Sequence, residues 1–167
     1  MIESLVIHNS FYFPWRVPSM NDLVFLKGQG GKTSWLLKAG DTKRNSFKFN
    51  MYNQLKQEWS SKVCSHVTKV GFKVCKEAYF HYLMVEPNVK RDPSNIAAAA
   101  AKFVEDGLIK AGVIENDGWK QVLGLVPYWI LDRDSDGGLF LLMTNQPLSK
   151  NAIVSYYNTR NENEKQV

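Results

Sequence analysis

Apolar positions recur along this chain with different periods, and the changes from one period to the next mark out its elements. Ser4-Leu5-Val6-Ile7 is a short apolar run that predicts a first strand ending by Asn9-Ser10. From Phe11 to Gly40 no period holds, and Pro14, Pro18 and the Gly28-Gln29-Gly30-Gly31 cluster predict a long surface loop or flap. Met51, Leu55, Trp59 and Val63 then recur every four residues, with Phe47 and Tyr52 widening the stripe. This predicts a helix capped by Asn45 or Ser46 that ends near Gly71. From Glu77 to Val85 nearly every position is apolar or aromatic, the pattern of a central strand covered on both faces. A second helix is expected from about Ile96 to Ala111, through five consecutive alanines to a left-handed stop at Gly112. Val122 to Leu131 and Leu139 to Thr144 read as strands, joined as a hairpin by the polar turn Asp132 to Gly138.

The order strand, helix, strand, helix, strand, strand predicts an α/β fold: a single domain with a mixed β-sheet of about four strands packed with two main helices. The domain is expected to span residues 1–155, with 156–167, rich in Asn and Glu, as a flexible tail. A length of 167 residues suits one core. No apolar run approaches the roughly 18 residues of a membrane span, and the start lacks a basic region followed by an apolar stretch, so no membrane partner and a cytoplasmic location are expected. Cys64 and Cys75 have no close His or Cys partners and read as free thiols.

Charge changes the picture. The formal net charge is +5, yet residues 27–76 carry eleven basic side chains against Asp41 and Glu58, which is +9, leaving −4 for the remainder. A basic face beside an acidic, cation-binding pocket suits a polyanion; a solvated helix face explains the lysines equally well.

Three local patterns imitate known sites. Gly28-Gln29-Gly30-Gly31-Lys32-Thr33 lacks the leading glycine of a phosphate loop, because Leu26 stands there. Asp132-Arg133-Asp134-Ser135-Asp136-Gly137 begins like a calcium loop, but its twelfth position is Met143. His8, His66 and His81 sit on separate elements and form no nucleophilic arrangement; His81, on an apolar strand, reads as a core residue.

The stronger candidate is Arg91-Asp92-Pro93-Ser94-Asn95, followed by Lys102 and Asp106 and then Asn116-Asp117-Gly118-Trp119-Lys120. Acidic and amide oxygens at both ends of a helix, flanked by basic side chains, suit a hard cation held against a phosphodiester. Pro93 directs the backbone at Asp92 into an extended conformation, and Asn95 is placed to cap the helix. Lys102 and Asp106 lie four apart on one helical face, where a salt bridge explains them as well as a phosphate-facing role does. Asn116-Asp117-Gly118 alone predicts a tight turn.

Taken together these residues resemble the RusA-like Holliday junction resolvases, many of them from phages and prophages. That family's pattern is Arg-x-Asp-x-Asp-Asn-Leu, then a helix with Lys and Asp-x-Leu, then a glycine and an Asp-containing turn before Gln-Val. The matching residues are Arg91, Asp92, Asn95, Ile96, Lys102, Asp106, Leu108, Gly112, Asp117 and Gln121-Val122. Asp117-Gly118-Trp119-Lys120 is similar to phage members in particular, and Val17-Pro18-Ser19-Met20-Asn21 to a Pro-Ser-x-Asn near the family's first strand. The likeness covers mainly residues 86–125. It implies a RusA-like fold, a homodimer, branched DNA such as four-way junctions as partner, and Mg²⁺, with Mn²⁺ as the substitute, as cofactor. On this reading Asp92, Asp117, Asp106 and Lys102 are catalytic, and Asp92, Asp117, Asp106 and Asn95 are the candidate metal ligands. Lys43, Arg44, Lys48, Lys90, Arg91 and Lys102 are the candidates for backbone contacts, and Trp15 or Trp35 for a wedge against unpaired bases.

Two departures bear on activity. Ser94, a neutral and weaker ligand, stands where the family usually has a second carboxylate, and four extra residues of the alanine run separate Asn95 from Lys102. Besides a nuclease, the chain therefore fits a junction-binding protein with weakened or lost cleavage, or a structural or regulatory domain in which Asp92 and Asp117 only cap and turn. A straight helix from Ile96 to Ala111 is about 24 Å long, too far for one metal to join Asp92 and Asp117. Either the alanine run turns back, or the carboxylates meet across a homodimer axis.

Overall fold

The computed structural model describes residues 4–18 and 42–164, the side chains of helical residues 42–52 and 161–164 excepted. The glycine cluster at 28–31, Trp35 and the side chains of Lys43, Arg44 and Lys48 lie outside the described residues. The elements are β1 (Ile7–Phe13), α1 (Thr42–Val70), β2 (Ala78–Glu86), α2 (Pro93–Ala111), β3 (Val122–Leu131), β4 (Gly138–Thr144) and α3 (Lys150–Glu164). They form an α/β fold around one mixed sheet of four strands in the order β1-β4-β2-β3. β4 is antiparallel to both β1 and β2, and β2 is parallel to β3.

The apolar run in β2 has the cause inferred from its pattern: a neighbour on each edge and a layer on each face. Phe80, Tyr82 and Met84 point to one face and join Leu139, Leu141 and Met143 of β4 under Val63 and Val67 of α1 and Ile96, Phe103 and Leu108 of α2. Leu83 and Val85 point to the other face, where Phe140, Leu142, Ile153 and Tyr157 complete a second cluster. His81 is fully buried, as its apolar strand suggested. Its Nε2 lies 3.0 Å from the hydroxyl of Thr144, which itself donates to the Gln146 carbonyl, and burial lowers its pKa.

Four expectations are corrected. The tail expected to be flexible from Tyr156 is instead helical to Glu164, because Ile153 and Tyr157 of α3 close the second face of the sheet. The Tyr157 ring lies 5.8 Å from those of Tyr12 and Phe140. The β3–β4 hairpin does not form. The segment β2-α2-β3 is a crossover unit, which makes β3 parallel to β2, and β4 takes the opposite edge of β2. The turn between them passes over the end of β2, with the Asp132 amide donating to the Glu86 carbonyl at 3.0 Å. The first strand begins where it was expected to end: Phe11 and Phe13 are buried at 1%, whereas Leu5, Val6 and Ile7 are exposed. Asp92, not Asn95, caps α2: its carboxylate accepts from the Ser94 amide, with Pro93 filling the first helical turn.

Helices α1 and α2 pack closely at Gly107. A Cβ there would lie 2.5 Å from Val63 Cγ1 and 2.9 Å from the Ser60 carbonyl oxygen, so only glycine permits this crossing. Gly107→Ala is expected to lower the unfolding free energy by about 2 kcal/mol through overpacking, measured by urea denaturation; an unchanged midpoint would show that the helices separate without cost.

Candidate functional site

Helix α2 carries the candidate residues on two of its sides and at its start. Ile96, Ala99, Ala100, Phe103, Val104 and Leu108 anchor one side in the core, which leaves Lys102 and Asp106 facing the margin where α1 passes and the chain returns. Gly112, with φ of 81°, ends the helix in the left-handed region, and the Val113 amide donates to the Leu108 carbonyl at 2.9 Å. Val113 and Ile114 are buried, and this reversal carries Asp117 back beside the helix.

The return creates the central contact. Lys102 Nζ lies 2.5 Å from Asp117 Oδ2 and 3.0 Å from Asp106 Oδ1. Lys56, from α1, lies 2.7 Å from Asp106 Oδ2. Three of the four residues expected to be catalytic are therefore adjacent, and the i,i+4 pair is part of a larger network. Asp117 is drawn below the usual carboxylate range, chiefly by the hydrogen bond from Lys102, and the same bond, with help from Asp106, raises the Lys102 pKa. The Lys102 and Asp117 side chains are 40% and 35% exposed, so a solvent-borne ligand has access to both.

Behind them Glu105 is 6% exposed on the core side of α2 and accepts a hydrogen bond from the Tyr82 hydroxyl at 3.2 Å. Burial pushes its pKa up to about 7; the Tyr82 bond opposes this, while the charges of Asp117 and Asp106 add to it.

Asp92 stands apart. Its Oδ1 accepts from the Ser94 amide at 2.9 Å and the Ser94 hydroxyl at 2.6 Å, and these bonds lower its pKa, with a smaller share from the Asn95 amide. α2 runs unbroken from Pro93 to Ala111, so the alanine run does not turn back. Asp92 precedes Lys102 by ten residues, about 15 Å along the axis. Asn95, half-buried in the first turn, stays with Asp92. Among the described residues no three His, Cys, Asp or Glu side chains gather closely enough to hold a metal. Mg²⁺ commonly takes one or two carboxylates and completes its shell with water and substrate phosphate, and the pair Asp106 and Asp117 fits that donor set.

The candidate DNA contacts divide. Lys90 is exposed, and its backbone amide donates to Asn88 Oδ1. Arg91 instead holds the fold together: its Nη1 lies 3.0 Å from Glu86 Oε1, its Nη2 donates to the Val17 carbonyl, and Arg16 reaches the other Glu86 oxygen at 2.6 Å. Trp15 is packed against Phe13, Trp59 and His66, with Lys62 Nζ 4.0 Å from its ring centre, and is no free wedge.

Sequence reasoning missed Lys56 and Glu105. Lys56 was one more charge in a basic segment, and nothing local pairs it with Asp106. Glu105 did carry a signal, as a carboxylate between Phe103 and Leu108 on an otherwise apolar helix side. No family model and no curated protein matches the chain.

Because the folded-state pKa of Glu105 lies above that of an ordinary glutamate, its burial favours the fold below about pH 4.5, and that contribution is lost as pH rises towards 7. At pH 8 the cost is up to about 3 kcal/mol, at about 1.36 kcal/mol per pKa unit. Glu105→Gln should therefore raise stability at pH 8 and leave it nearly unchanged at pH 4, as read from urea midpoints; equal midpoints at both pH values would show that Glu105 is ionised without penalty.

Proposed function

We propose that the chain is a metal-dependent endodeoxyribonuclease of RusA-like type that hydrolyses phosphodiester bonds in four-way or branched DNA. The observation that carries this reading is the single ammonium of Lys102 shared by carboxylates from helix α2 and from the turn fifteen residues later. A purely structural i,i+4 pair does not require the turn. A partly exposed network of two carboxylates and two lysines has the donors for a cation together with the cations for a phosphate.

In this reading Asp106 and Asp117 would hold Mg²⁺ or Mn²⁺, which when bound would supply Lewis-acid charge neutralisation for phosphodiester hydrolysis. Lys102, released from one or both carboxylates, turns its charge to the phosphate oxygens, and Lys56 holds Asp106 in place. Glu105, held by Tyr82, closes the core side behind the pair. Lys90 and the basic residues of α1 attract the DNA backbone, which contributes affinity without sequence preference.

A homodimer belongs to the proposal. β3 is an edge strand among the described residues, its ten residues include no charged side chain, and Leu123, Leu125 and Leu131 are exposed. Pro127 interrupts the pairing capacity of this edge, so it is the exposed leucines that support association with a second copy. Asp92 contributes to a metal site on this reading only through that copy.

The expected outcome for Asp117→Asn is a loss of junction cleavage in Mg²⁺ of roughly 10²-fold or more, with junction affinity nearly unchanged, measured on synthetic four-way junctions by gel assay. Full activity in both Asp117→Asn and Asp106→Asn would overturn the site.

The hydrogen bonds from Ser94 to Asp92 favour a second reading, junction binding without efficient cleavage, because the position that would add a carboxylate instead ties down the one beside it. Ser94→Asp is then expected to raise Mg²⁺-dependent cleavage at least tenfold, from the added charge at a cation site. Unchanged cleavage would count against any role of that helix end in the chemistry.

A further inference from the structure

Trp119 is 83% exposed, whereas Trp15, Trp59 and Trp129 pack against the core. Leaving an indole in water forgoes the burial that normally fixes it in a fold, and among the described residues no other aromatic side chain is so exposed. Its backbone, in contrast, is firmly held. Asn116 Oδ1 accepts from the Gly118 amide at 2.8 Å, and the Gly118 carbonyl accepts from the Gln121 and Val122 amides at 2.9 and 3.0 Å. A Cβ at residue 118 would lie 2.7 Å from Asn116 Oδ1, so a larger residue would displace the Asn116 side chain that braces this turn. The Gln121 carbonyl in turn accepts from the Ala78 amide at 2.9 Å, at the start of the central strand. The indole thus projects from a braced turn, and presenting it costs little ordering on binding.

Its surroundings select the ligand. Trp119 is two residues from Asp117, within about 7 Å along the backbone. It borders a depression of about 410 Å³ lined by Glu115, Asn116, Gly118, Trp119, Lys120 and Gln121. The indole is the one large apolar surface there, and the remaining lining is amide, charge and backbone. A purely apolar ligand finds a single wall. A nucleobase has a π-face for the indole and polar edges for the amides, and Lys120 offers a cation for the adjoining phosphate.

We propose that Trp119 stacks on an unpaired nucleobase of single-stranded or branched DNA, fixing the strand beside the phosphate bound near Lys102 and Asp117. The location of that phosphate rests on the nuclease reading; the stacking does not require cleavage. It replaces Trp15 as the aromatic contact with DNA, and it gives the protein a preference for unpaired strands that its lysines do not provide.

The test is binding of oligo(dT), a four-way junction and a duplex in EDTA, followed by anisotropy of labelled DNA and by tryptophan quenching, for the parent, Trp119→Phe and Trp119→Ala. The expected result is about tenfold weaker binding of oligo(dT) and junction by the alanine variant, retention within about threefold by the phenylalanine variant, and equal duplex binding by all three. The parent should also show quenching that Trp119→Phe removes. Equal affinity of parent and Trp119→Ala for unpaired DNA overturns the inference, as does an equal loss in both variants. A shift in oligomeric state on sedimentation, with DNA affinity unchanged, would assign Trp119 to a protein contact instead. Loss of cleavage in Asp117→Asn beside unaltered binding in Trp119→Ala would sink the stacking alone, whereas a parent that binds no DNA would sink the nuclease reading as well.

Discussion

The burial of β2 on both faces and both edges is the constraint from which the other elements take their places. Its alternating side chains need two apolar covers, and the chain supplies α1 with α2 on one side and α3 on the other. Its two edges need strands, and β3 and β4 fill them in opposite directions. Because β3 is parallel to β2, the connection must cross over the sheet, and that crossover is α2 with its returning turn. Lys102, Asp106 and Asp117 thus sit on the connection that a parallel strand requires, which explains how two carboxylates, one on the helix and one on the turn after it, come to share one ammonium.

The electrostatics follow from the same placement. Glu105 and Asp106 are successive residues on a helix, so they must face different ways. One enters the core and stays near neutral under desolvation, and the other meets Lys56 and Lys102 at the margin. With Asp117 these are three carboxyl groups in one neighbourhood, and they coexist because burial keeps one partly protonated near neutral pH and two are paired with lysines. The close passage of α1 over Gly107 brings Lys56 within reach, so a packing detail on the core side helps set the charge balance on the open side.

Much of the fold was legible because period and burial agree where an element is covered on two faces. β2, β3 and β4 were placed to within a residue or so, and the left-handed stop at Gly112 followed from its position after an alanine-rich helix. α3 was not, since among its described side chains only Ile153 and Tyr157 are buried, and its apolar residues, from Ala152 to Tyr157, do not recur along the rest of the helix. The hairpin misreading had a different origin: a polar turn of suitable length says nothing about which edge of β2 its strands will occupy. In the site, the pairing of Lys102 with Asp106 was readable from helical spacing, but its extension to Asp117 was not, because it depends on the reversal after Gly112. The likeness to the RusA-like resolvases marked those residues without locating them.

That likeness also grouped Asp92 with Asp106 and Asp117, and here the physics of α2 is decisive. The helix is continuous from Pro93, and fourteen residues of rise, about 21 Å, separate the cap from Asp106. Cation–oxygen bonds of roughly 2 Å cannot join them within one chain. Asp92 moreover has a structural occupation: it accepts the amide and hydroxyl of Ser94, so recruiting it to a cation would uncover the start of the helix. A carboxylate in place of the Ser94 hydroxyl would remove one of those bonds and set two negative charges side by side. That arrangement favours a cation over a cap, and the serine tips the balance towards the cap. Residue 94 therefore decides whether this end of the helix acts as a ligand or as a helix terminus, while the pair of carboxylates around Lys102 keeps its geometry in either case.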